Sequence, residues 1–416
     1  MSGVLKYFLL DSGLTNIAIN SITIMEKKDG FKFQERLEWG RLATFVPNKG
    51  LPVYDWFYYK EGFSRELVMQ LIRMFRPESR EWVLDPFCGA GTTLLACRES
   101  GVNSVGFDVL PVSVFASRVK TRDYEPAKLK ESLSGLLKAR YSRPRFVVKH
   151  PIIRKAFPPR LLEQVVFFRD WIMGLGEQAT RDFLMLCLMN VAVKSSYLWK
   201  DGAVLKIRKK PVPPVKDMLK RQARRMIKDV EGLGGTTGKG KALVDFGDSR
   251  SVRLKDGSVK AVITSPPYLN KIEYTRIYEV ENELFLRHVM PEPPVRTFIG
   301  LTLEKLERSS AMLAKALDPE TANSLPQEAC PYFTDMMQSI GELHRVCKSG
   351  ARVGLVVGNG CFPSGVVESD VLLSRLAQEA GFEVEKIVVL NKRWCTRNRT
   401  EKVGQLRESL LLWRKP

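Results

Sequence analysis

A glycine-rich turn between an apolar run and a helical pattern is the feature that most constrains how this chain folds. Residues 82–84 read Trp-Val-Leu, residues 85–93 read Asp-Pro-Phe-Cys-Gly-Ala-Gly-Thr-Thr, and residues 94–99 follow in a helical pattern. Gly89 and Gly91 allow the backbone to approach a ligand closely, because glycine has no Cβ atom. This strand, turn and helix predict the first unit of a doubly wound α/β sheet that binds a nucleotide-like ligand at the turn.

Two further acidic residues stand at the ends of short apolar runs. Asp108 ends the run Ser-Val-Gly-Phe-Asp, which follows the glycine turn. A carboxylate about 20 residues past such a turn is where a doubly wound sheet binds ribose hydroxyls. Asp248 ends the run Val-Asp-Phe-Gly-Asp and is a second candidate, with a solvated turn residue as the alternative interpretation.

A stiff polar turn follows a second apolar run in the middle of the chain. Residues 261–264 read Ala-Val-Ile-Thr and lead into Ser265-Pro-Pro-Tyr268. The two prolines restrict φ, remove two N–H donors and keep Ser265 out of helical geometry. The turn therefore presents a hydroxyl, carbonyl oxygens and an aromatic ring, which suit an amino group on a flat partner.

Together the two motifs resemble a known enzyme family. Residues 85–93 and 264–268 are similar to the cofactor motif and catalytic tetrapeptide of the S-adenosylmethionine-dependent amino-methyltransferases of nucleic acids. In that family Ser-Pro-Pro-Tyr is associated mainly with cytosine N4, and Asp- or Asn-Pro-Pro-Tyr with adenine N6. Residues 57–68 resemble the segment that closes over the methionine end of the cofactor. The resemblance covers roughly residues 53–124 and 243–414, with the cofactor motif first.

The resemblance implies a mechanism for the polar turn. A cytosine amine is a poor nucleophile, because its lone pair is delocalised into the ring. Hydrogen bonds from the amine to the Ser265 hydroxyl and the Pro266 carbonyl favour a pyramidal nitrogen, and Tyr268 stacks on the base. The predicted catalytic residues are Ser265, Pro266, Pro267 and Tyr268. The predicted cofactor-binding residues, with S-adenosylmethionine as the cofactor, are Asp85, Pro86, Phe87, Gly89, Gly91, Thr92, Asp108, Asp248, Tyr59 and Phe63.

The charge of the chain favours an anionic partner. The 416 residues carry a formal net charge of +20. Basic residues are concentrated in 139–160, in 200–228 and in 391–399, where a tryptophan is interleaved with them. One such run is explained by a solvated surface, but the three together favour nucleic acid. The predicted nucleic-acid-binding residues are Lys206, Arg208, Lys209, Lys210, Arg221, Arg224, Arg225, Arg393, Trp394 and Arg397.

The cysteine and histidine content bears on the compartment. Seven cysteines occur without a Cys-x-x-Cys pair, and there are three histidines. We therefore expect neither a structural zinc site nor a disulfide framework, and we predict a cytoplasmic protein. The apolar run at residues 6–10 is too short for a signal peptide, and residues 183–193 are too few to span a membrane, so the latter are predicted as a buried helix.

The pattern along the chain predicts four regions. Residues 1–52 are an irregular or partly stranded lead-in, 53–124 the cofactor-binding half, 125–241 a helical basic insertion and candidate substrate-recognition region, and 242–416 the catalytic half. Residues 161–171 predict an amphipathic helix, and the glycine-rich residues 232–241 predict a flexible linker. Helices are expected over 272–289 and 304–316. The fold class is α/β, a doubly wound and mainly parallel sheet of the Rossmann-like class I methyltransferase type.

Three functions remain open from the sequence. The first is methylation of cytosine N4 in nucleic acid, with DNA slightly favoured because most enzymes with Ser-Pro-Pro-Tyr act on it. The second is the same chemistry on structured ribosomal or transfer RNA. The third is adenine N6 methylation or a nucleic-acid-binding module without catalysis. No membrane or metal partner is expected, and the oligomeric state is left open.

Overall fold

The computed structural model describes residues 25–144, 148–201, 204–269, 274–287, 299–300, 306–397 and 400–416. The strands are β1 (Met25–Lys28), β2 (Phe31–Glu35), β3 (Trp82–Asp85), β4 (Asn103–Asp108), β5 (Leu198–Asp201), β6 (Val204–Ile207), β7 (Ala242–Phe246), β8 (Val259–Thr264), β9 (Cys347–Gly358), β10 (Gly360–Phe362), β11 (Gly365–Val367), β12 (Glu383–Arg397) and β13 (Glu401–Arg414).

The described helices lie mostly in two groups, one between β4 and β5 and one between β8 and β9. They are α1 (Arg65–Phe75), α2 (Thr92–Glu99), α3 (Pro111–Lys120), α4 (Pro126–Lys138), α5 (Pro151–Ala156), α6 (Pro159–Met173), α7 (Gln178–Lys194), α8 (Val215–Gly232), α9 (Tyr274–Ile277), α10 (Glu279–Glu281), α11 (Leu306–Ala316), α12 (Pro319–Ser324), α13 (Cys330–Val346) and α14 (Ser369–Glu379). Five of them (α3, α4, α5, α6 and α12) begin with proline, whose restricted φ suits the first helical position.

The core of the fold is a nine-stranded sheet in the order β1-β2-β12-β13-β9-β8-β3-β4-β7. The five strands β9, β8, β3, β4 and β7 run parallel to one another. β13 is antiparallel to both β9 and β12. The strand order reverses direction on either side of β3, which is the switch point where a doubly wound sheet binds its ligand. The predicted mainly parallel, doubly wound α/β fold is confirmed.

Alternate side chains of the strands point to opposite faces of the sheet. In β8, Ala261 and Ile263 pack with α1 and α2, and Val262 packs with α13 on the other face. In β9, Leu355 and Val356 are divided between the two faces in the same way. This period of two in wholly apolar strands is what a sheet covered by helices on both faces requires.

The helices α3 to α8 form a separate apolar cluster beside the sheet. Leu186 and Leu188 of α7 are fully buried there, and the amphipathic helix α6 contributes Val165 and Ile172. One hairpin in this region, β5–β6, was not predicted, because its strands are only four residues long. Among the described residues, no helix is long and apolar enough to cross a membrane.

The glycine-rich segment after α8 is packed, so its interpretation as a flexible linker is wrong. Gly240 donates its N–H to the carbonyl of Arg98, and the Tyr124 N–H donates to the carbonyl of Gly235. A Cβ atom on Gly238 would lie 2.3 Å from the Arg98 carbonyl oxygen. These glycines allow the chain to pass close to the end of α2 on its way into β7, a requirement that composition alone does not distinguish from flexibility.

β12 and β13 extend past the sheet as a long antiparallel hairpin beside β10–β11. Cys361 of β10 and Cys395 of β12 form a disulfide there, with Cα atoms 5.7 Å apart. The sequence argued against a disulfide framework, and this single pair is a disulfide that it did not predict. The two residues are 34 positions apart in sequence and meet only because the hairpin extension returns to β10. The other five cysteines are buried and unbonded.

Some sequence predictions fall on residues outside the described ones. These are residues 1–24 of the lead-in, the catalytic-side helices at 272–273, 288–289 and 304–305, and residues 398–399 of the last basic cluster. Within the described part, α9 to α11 occupy parts of the two ranges that were predicted to be helical.

Candidate active site

The carboxyl ends of three neighbouring parallel strands meet at one cavity of about 680 Å³. β3 ends at Asp85, β4 at Asp108 and β8 at Thr264. β3 lies between the other two strands in the sheet, so the glycine turn that follows it is central in the cavity wall. Parallel strands place all their carboxyl ends on one edge, which is why residues far apart in sequence converge here.

The glycine turn adopts backbone angles that favour glycine. Gly89 has φ of +49° and Gly91 has φ of +77°. A Cβ atom on Gly91 would lie 2.8 Å from Ser117 Oγ, and the same hydroxyl donates a 2.8 Å hydrogen bond to the Gly89 carbonyl. Gly91 therefore serves the packing of the turn against α3, and it is the one predicted cofactor residue that does not line the cavity.

Asp108 is held at the cavity by backbone donors. The Gly89 N–H donates to Oδ2 and the Leu110 N–H donates to Oδ1, both at 2.9 Å. Burial raises the pKa of Asp108 to about 6, and these backbone hydrogen bonds oppose the rise. Each carboxylate oxygen has a second lone pair, so the group can still accept from a hydroxyl of a ligand.

Asp85 joins the first motif to the catalytic strand. The Thr264 hydroxyl donates a 2.6 Å hydrogen bond to its Oδ1, which also accepts from the Phe87 N–H. Burial raises the pKa of Asp85 to about 6, and the hydrogen bond from Thr264 opposes the rise. Because Asp85 and Asp108 are buried carboxyl groups, this end of the cavity favours ligands that carry a cation or a hydroxyl group.

Aromatic side chains cover the glycine turn. A Cβ atom on Gly89 would lie 3.0 Å from the ring of Tyr59, which stacks on Tyr278 with centroids 5.2 Å apart. The Tyr278 hydroxyl donates to Glu61, at 2.9 Å, and burial raises the pKa of both groups. Lys200 Nζ lies 4.2 Å from the centre of the Tyr278 ring. The stack connects the β5–β6 hairpin to the cofactor turn.

The Ser-Pro-Pro-Tyr turn, which follows β8, also lines the cavity. Ser265 is half-buried, and its hydroxyl makes no hydrogen bond to any described residue. The Tyr268 hydroxyl donates a 2.9 Å hydrogen bond to Oε1 of Glu408 on β13. The serine hydroxyl therefore remains available to a substrate, and the tyrosine ring is tied to a carboxylate that lines the same cavity.

Asp248 lines the cavity but is already bound to an arginine. Its Oδ1 accepts from the backbone N–H and Nε of Arg250, and its Oδ2 accepts from Nη2 of the same residue at 2.6 Å. Arg250 also donates from Nη1 to Asp335 at 3.0 Å. The predicted role of Asp248 at the adenine stays a prediction, with its carboxylate largely engaged.

All but one of the predicted catalytic and cofactor residues line this single cavity. The cavity also has residues that sequence analysis missed, among them Glu61, Tyr332 and Glu408. Glu61 lies inside residues 57–68, the segment that resembles the cofactor cover, so that resemblance could have predicted it as a site residue. Tyr332 and Glu408 belong to a helix and a strand that carried no motif, and only the tertiary structure brings them here.

Comparison with known proteins agrees with this geometry. A family model described as DNA methylase matches residues 44–113, which include the glycine turn. The type II methyltransferase M.AvaI of Anabaena variabilis is 28% identical, over 94% of this chain and 92% of its own length. The type II methyltransferase M.BsoBI of Geobacillus stearothermophilus is 25% identical, over 90% and 88%. The type II methyltransferase M.MjaII of Methanocaldococcus jannaschii is 22% identical, over 62% and 67%.

The chain is similar to the N4/N6-type DNA methylase family around the glycine turn and to type II methyltransferases over most of its length, as the sequence motifs predict. The predicted methyltransferase activity and the S-adenosylmethionine cofactor are confirmed with it. The matching family model includes enzymes for both exocyclic amines, so this similarity does not choose between cytosine N4 and adenine N6. Among the described residues, no three His, Cys, Asp or Glu side chains are grouped as a metal ion would require.

One predicted basic cluster lies on the β5–β6 hairpin and the segment after it. Arg208 and Lys209 are exposed, and Lys206 and Lys210 are half-buried. Arg208 lies 5.8 Å from the ring of Trp199, which is 50% exposed. An exposed tryptophan beside cations is a surface on which a base or sugar can stack.

The second predicted cluster lies on α8, away from the cavity. Arg221 and Arg224 are exposed, but Arg225 donates to Asp55 at 2.6 Å. No described residue between 111 and 246, a range that includes α8, lines the cavity. Arg225 is therefore engaged in holding the insertion to the segment before the cofactor cover, and the other two arginines stay predictions.

The third cluster lies on the extension of β12 and β13. Arg393 is exposed and Trp394 is 53% exposed, with Lys402 Nζ 4.8 Å from its ring centre. Arg397 donates to the Pro363 carbonyl at 2.6 Å. Phe362, next to the disulfide that joins this extension to β10, lines the cavity. This cluster therefore lies on the side of the catalytic turn.

Proposed function

We propose that this methylase transfers a methyl group from S-adenosylmethionine to the N4 amine of cytosine in DNA. The observation that carries the proposal is the half-buried Ser265 hydroxyl, which has no hydrogen-bond partner among the described residues and opens into the cofactor cavity. The resemblance of Ser-Pro-Pro-Tyr to cytosine enzymes supports N4. The DNA methylase description of the matching family supports DNA.

The residues of the cavity fit the cofactor. Gly89 has a positive φ, and a Cβ atom at this position would lie 3.0 Å from the ring of Tyr59. The turn therefore has room for a ligand because Gly89 carries no side chain. Asp108 offers lone pairs to ribose hydroxyls, and Asp85 and Glu61 place negative charge near the glycine turn. When bound, the cofactor supplies an electrophilic methyl group on a sulfonium.

The chain itself positions the amine for an in-line displacement. The Ser265 hydroxyl and the Pro266 carbonyl accept hydrogen bonds from the two amine hydrogens, which favours a pyramidal nitrogen with its lone pair toward the methyl group. The nitrogen–carbon bond forms as the sulfur–carbon bond breaks, and the amine then releases one proton to solvent. Tyr268 stacks on the base, so positioning and electrostatics supply the rate enhancement.

A base inside a duplex has to leave the helix to reach this cavity. Rotation of the base out of the stack costs a few kcal/mol, which surface contacts to the flanking DNA offset. We propose that the β5–β6 hairpin and the β12–β13 extension make such contacts, because each presents an exposed tryptophan beside a cation. The insertion at residues 125–241 is then the recognition region, outside the chemistry.

The test is methyl transfer from labelled S-adenosylmethionine to matched pools of DNA and total RNA, with the nucleosides identified by mass spectrometry. We expect N4-methyldeoxycytidine. N6-methyldeoxyadenosine would move the assignment to the other amine of the family, and methylated cytidine only in RNA would overturn the DNA substrate.

A pair of serine variants tests the role of the turn. We expect Ser265→Ala to lower kcat about 10- to 100-fold with little change in cofactor affinity, since one hydrogen bond to the reacting amine is lost. Ser349→Ala is the matched control, because its exposed hydroxyl bonds only to the terminal carbonyl of Pro416. Unchanged turnover in Ser265→Ala removes the proposed role.

A further inference from the structure

The segment before the cofactor cover has a backbone conformation that its residue types disfavour. Val53 has φ of +65° and ψ of −46°, and the Tyr54 N–H donates to the Pro52 carbonyl at 2.7 Å. These are the angles and the hydrogen bond of a γ-turn with positive φ, which strains a β-branched residue. Strained residues persist only where the surrounding contacts determine the conformation, and they cluster at active sites and ligand clamps.

Asp229 of α8 supplies one of the contacts that hold this turn. Its Oδ2 accepts a 2.8 Å hydrogen bond from Nε1 of Trp56, and the Val53 N–H nitrogen lies 3.5 Å from the same oxygen. Trp56 is fully buried and packs edge-to-face on Phe183 of α7. The Asn190 side chain of α7 donates to the Trp56 carbonyl. Two helices of the insertion therefore bond to the side chain and the backbone of one residue in this segment.

Arg225 makes a second attachment from α8. It lies one turn before Asp229 and donates from Nη1 to Asp55 Oδ2 at 2.6 Å and from Nη2 to the Asp55 carbonyl at 3.1 Å. The two residues of α8 therefore bind adjacent residues of the segment, Asp55 and Trp56. Both attachments involve a charged group, and charge-assisted hydrogen bonds are the stronger ones in proteins.

A buried lysine holds the same segment from within the cofactor-binding half. Lys120 of α3 is 1% exposed, and its Nζ donates to the carbonyls of Tyr54 and Phe57 at 2.9 and 3.3 Å. Burial of an amine is costly, and it lowers the pKa of Lys120 to about 7. Residues 53–57, which we call the anchor segment, are therefore bonded to α3, α7 and α8.

The anchor segment leads directly into the cofactor cover. Tyr59 comes two residues after Phe57 and lies over the glycine turn, where a Cβ atom on Gly89 would be 3.0 Å from its ring. Glu61 and Phe63 follow and line the cavity. Because consecutive Cα atoms are only about 3.8 Å apart, the position of Phe57 restricts where Tyr59 can lie.

We propose that Asp229 and Arg225 are positioning residues for S-adenosylmethionine, which hold the anchor segment so that Tyr59 stays over the glycine turn. The insertion at residues 125–241 then acts in cofactor binding as well as in DNA contacts. No described residue of the insertion lines the cavity, so the effect passes through the anchor segment. This inference rests on the proposed placement of the cofactor at the glycine turn, and it does not depend on which base receives the methyl group.

The test measures S-adenosylhomocysteine binding by calorimetry, without DNA. We expect Asp229→Ala to weaken binding about tenfold, equal to about 1.4 kcal/mol, because the cover then has its binding conformation in about a tenth of the molecules. The KM for S-adenosylmethionine should rise by a similar factor, with kcat at saturating cofactor within about twofold. Asp229→Asn keeps an acceptor oxygen for Trp56 and should bind within about threefold of the unaltered protein.

Arg225→Gln is the second variant, since the Arg225 side chain is 41% exposed and its replacement leaves the apolar core intact. We expect about threefold weaker S-adenosylhomocysteine binding, because the bonds of Asp229 remain. Hydrogen–deuterium exchange gives a readout that does not depend on activity. Exchange of residues 53–63 should be faster in both variants than in the unaltered protein, and S-adenosylhomocysteine should slow it.

Asp182→Ala is the matched control. Asp182 is also a buried carboxylate of the insertion, and its Oδ2 accepts a 3.1 Å hydrogen bond from Arg122, which lies in the cofactor-binding half but outside the anchor segment. This variant is expected to lower thermal stability and to bind S-adenosylhomocysteine as the unaltered protein does. Such a result separates the anchor from the general packing of the insertion.

Four outcomes overturn the inference. Unchanged S-adenosylhomocysteine affinity in both α8 variants means that the anchor segment does not position the cover. An equal loss in Asp182→Ala means that the insertion acts only through overall stability. Asp229→Asn that binds as weakly as Asp229→Ala shows that the bond to Trp56 is not responsible. A fall in kcat with KM unchanged moves the role of Asp229 away from the cofactor.

Failure of the proposed function is distinguishable from failure of this inference. A methyl group found on adenine, or on RNA only, changes the nucleoside that is identified and leaves the affinity for S-adenosylhomocysteine as it is. The calorimetric comparison of the α8 variants with Asp182→Ala uses no nucleic acid, so its result stands whichever base is methylated.

Discussion

The hydrogen bond between Tyr268 and Glu408 joins the catalytic turn to a strand that has no motif. Its donor–acceptor distance is 2.9 Å, and both residues line the cavity. If Tyr268 stacks on the target base, Glu408 sets the angle of that ring from the opposite side. Glu408 is then a positioning residue that acts through Tyr268, and loss of either partner has the same consequence.

The magnitude follows from the type of bond. A hydrogen bond to a charged group contributes about 1.5–3 kcal/mol, which corresponds to about 10- to 150-fold in rate if the whole bond is used in the transition state. We expect about tenfold lower kcat for Tyr268→Phe and for Glu408→Ala, and the same tenfold for the double variant. Cofactor affinity should change little, because neither residue belongs to the glycine turn.

The assay is single-turnover methyl transfer to DNA at saturating cofactor, read as a double-mutant cycle. Glu408→Gln keeps an acceptor oxygen and should recover part of the lost rate. Glu401→Ala, on the exposed part of the same strand, is the matched control. Additive losses in the double variant would refute the reasoning, since they would mean that Glu408 acts without Tyr268.

Three further predictions follow from the cavity and its surroundings. Because the pKa of Asp108 is raised to about 6, we expect S-adenosylhomocysteine affinity to fall below pH 6 as the carboxylate is lost. Stability without cofactor should fall as pH rises from about 4 to 6, since the folded state holds the proton longer. Calorimetry and denaturant titrations check this on Asp108→Asn, which should weaken both pH dependences but keep part of the stability effect, because the pKa of Asp85 is also raised to about 6. Gly91→Ala should lower the free energy of unfolding by about 1–3 kcal/mol, measured by denaturant titration. The new Cβ atom would lie 2.8 Å from Ser117 Oγ, and residue 91 has a left-handed backbone conformation. An unchanged denaturation midpoint would contradict this prediction. Trp394→Ala should weaken DNA binding without changing the slope of log binding constant against log salt concentration, measured by fluorescence anisotropy. Lys402→Gln should reduce that slope by about one ion, because one phosphate contact is lost. Equal slopes for both variants would oppose a phosphate contact at the lysine.

Much of the site could be predicted from local sequence. The glycine turn, the strand-terminal Asp108 and the Ser265–Tyr268 turn each require a particular backbone shape, and glycine, proline and a strand end specify that shape locally. Because parallel strands present their carboxyl ends at one edge, predicting the fold was enough to predict that these residues meet. The cavity that they share is the consequence.

Predictions that depended on composition fared differently. The glycine-rich residues 232–241 suggested flexibility, but their glycines serve close contacts to Arg98 and Tyr124. Cysteine spacing suggested no disulfide, yet Cys361 and Cys395 meet through the hairpin extension. Composition reports which residues are present and says nothing about which distant segment comes to lie beside them.

The sequence by itself determined the sheet, the cofactor turn and the catalytic turn, because each depends on the φ and ψ preferences and apolar periodicity of a few adjacent residues. Only the tertiary structure decided that Glu408 bonds to Tyr268, that Arg250 bonds to Asp248, and that Tyr332 lines the cavity. These side chains come from β13, from the loop after β7 and from α13. Their proximity arises from packing between segments far apart in the chain, which no local pattern encodes.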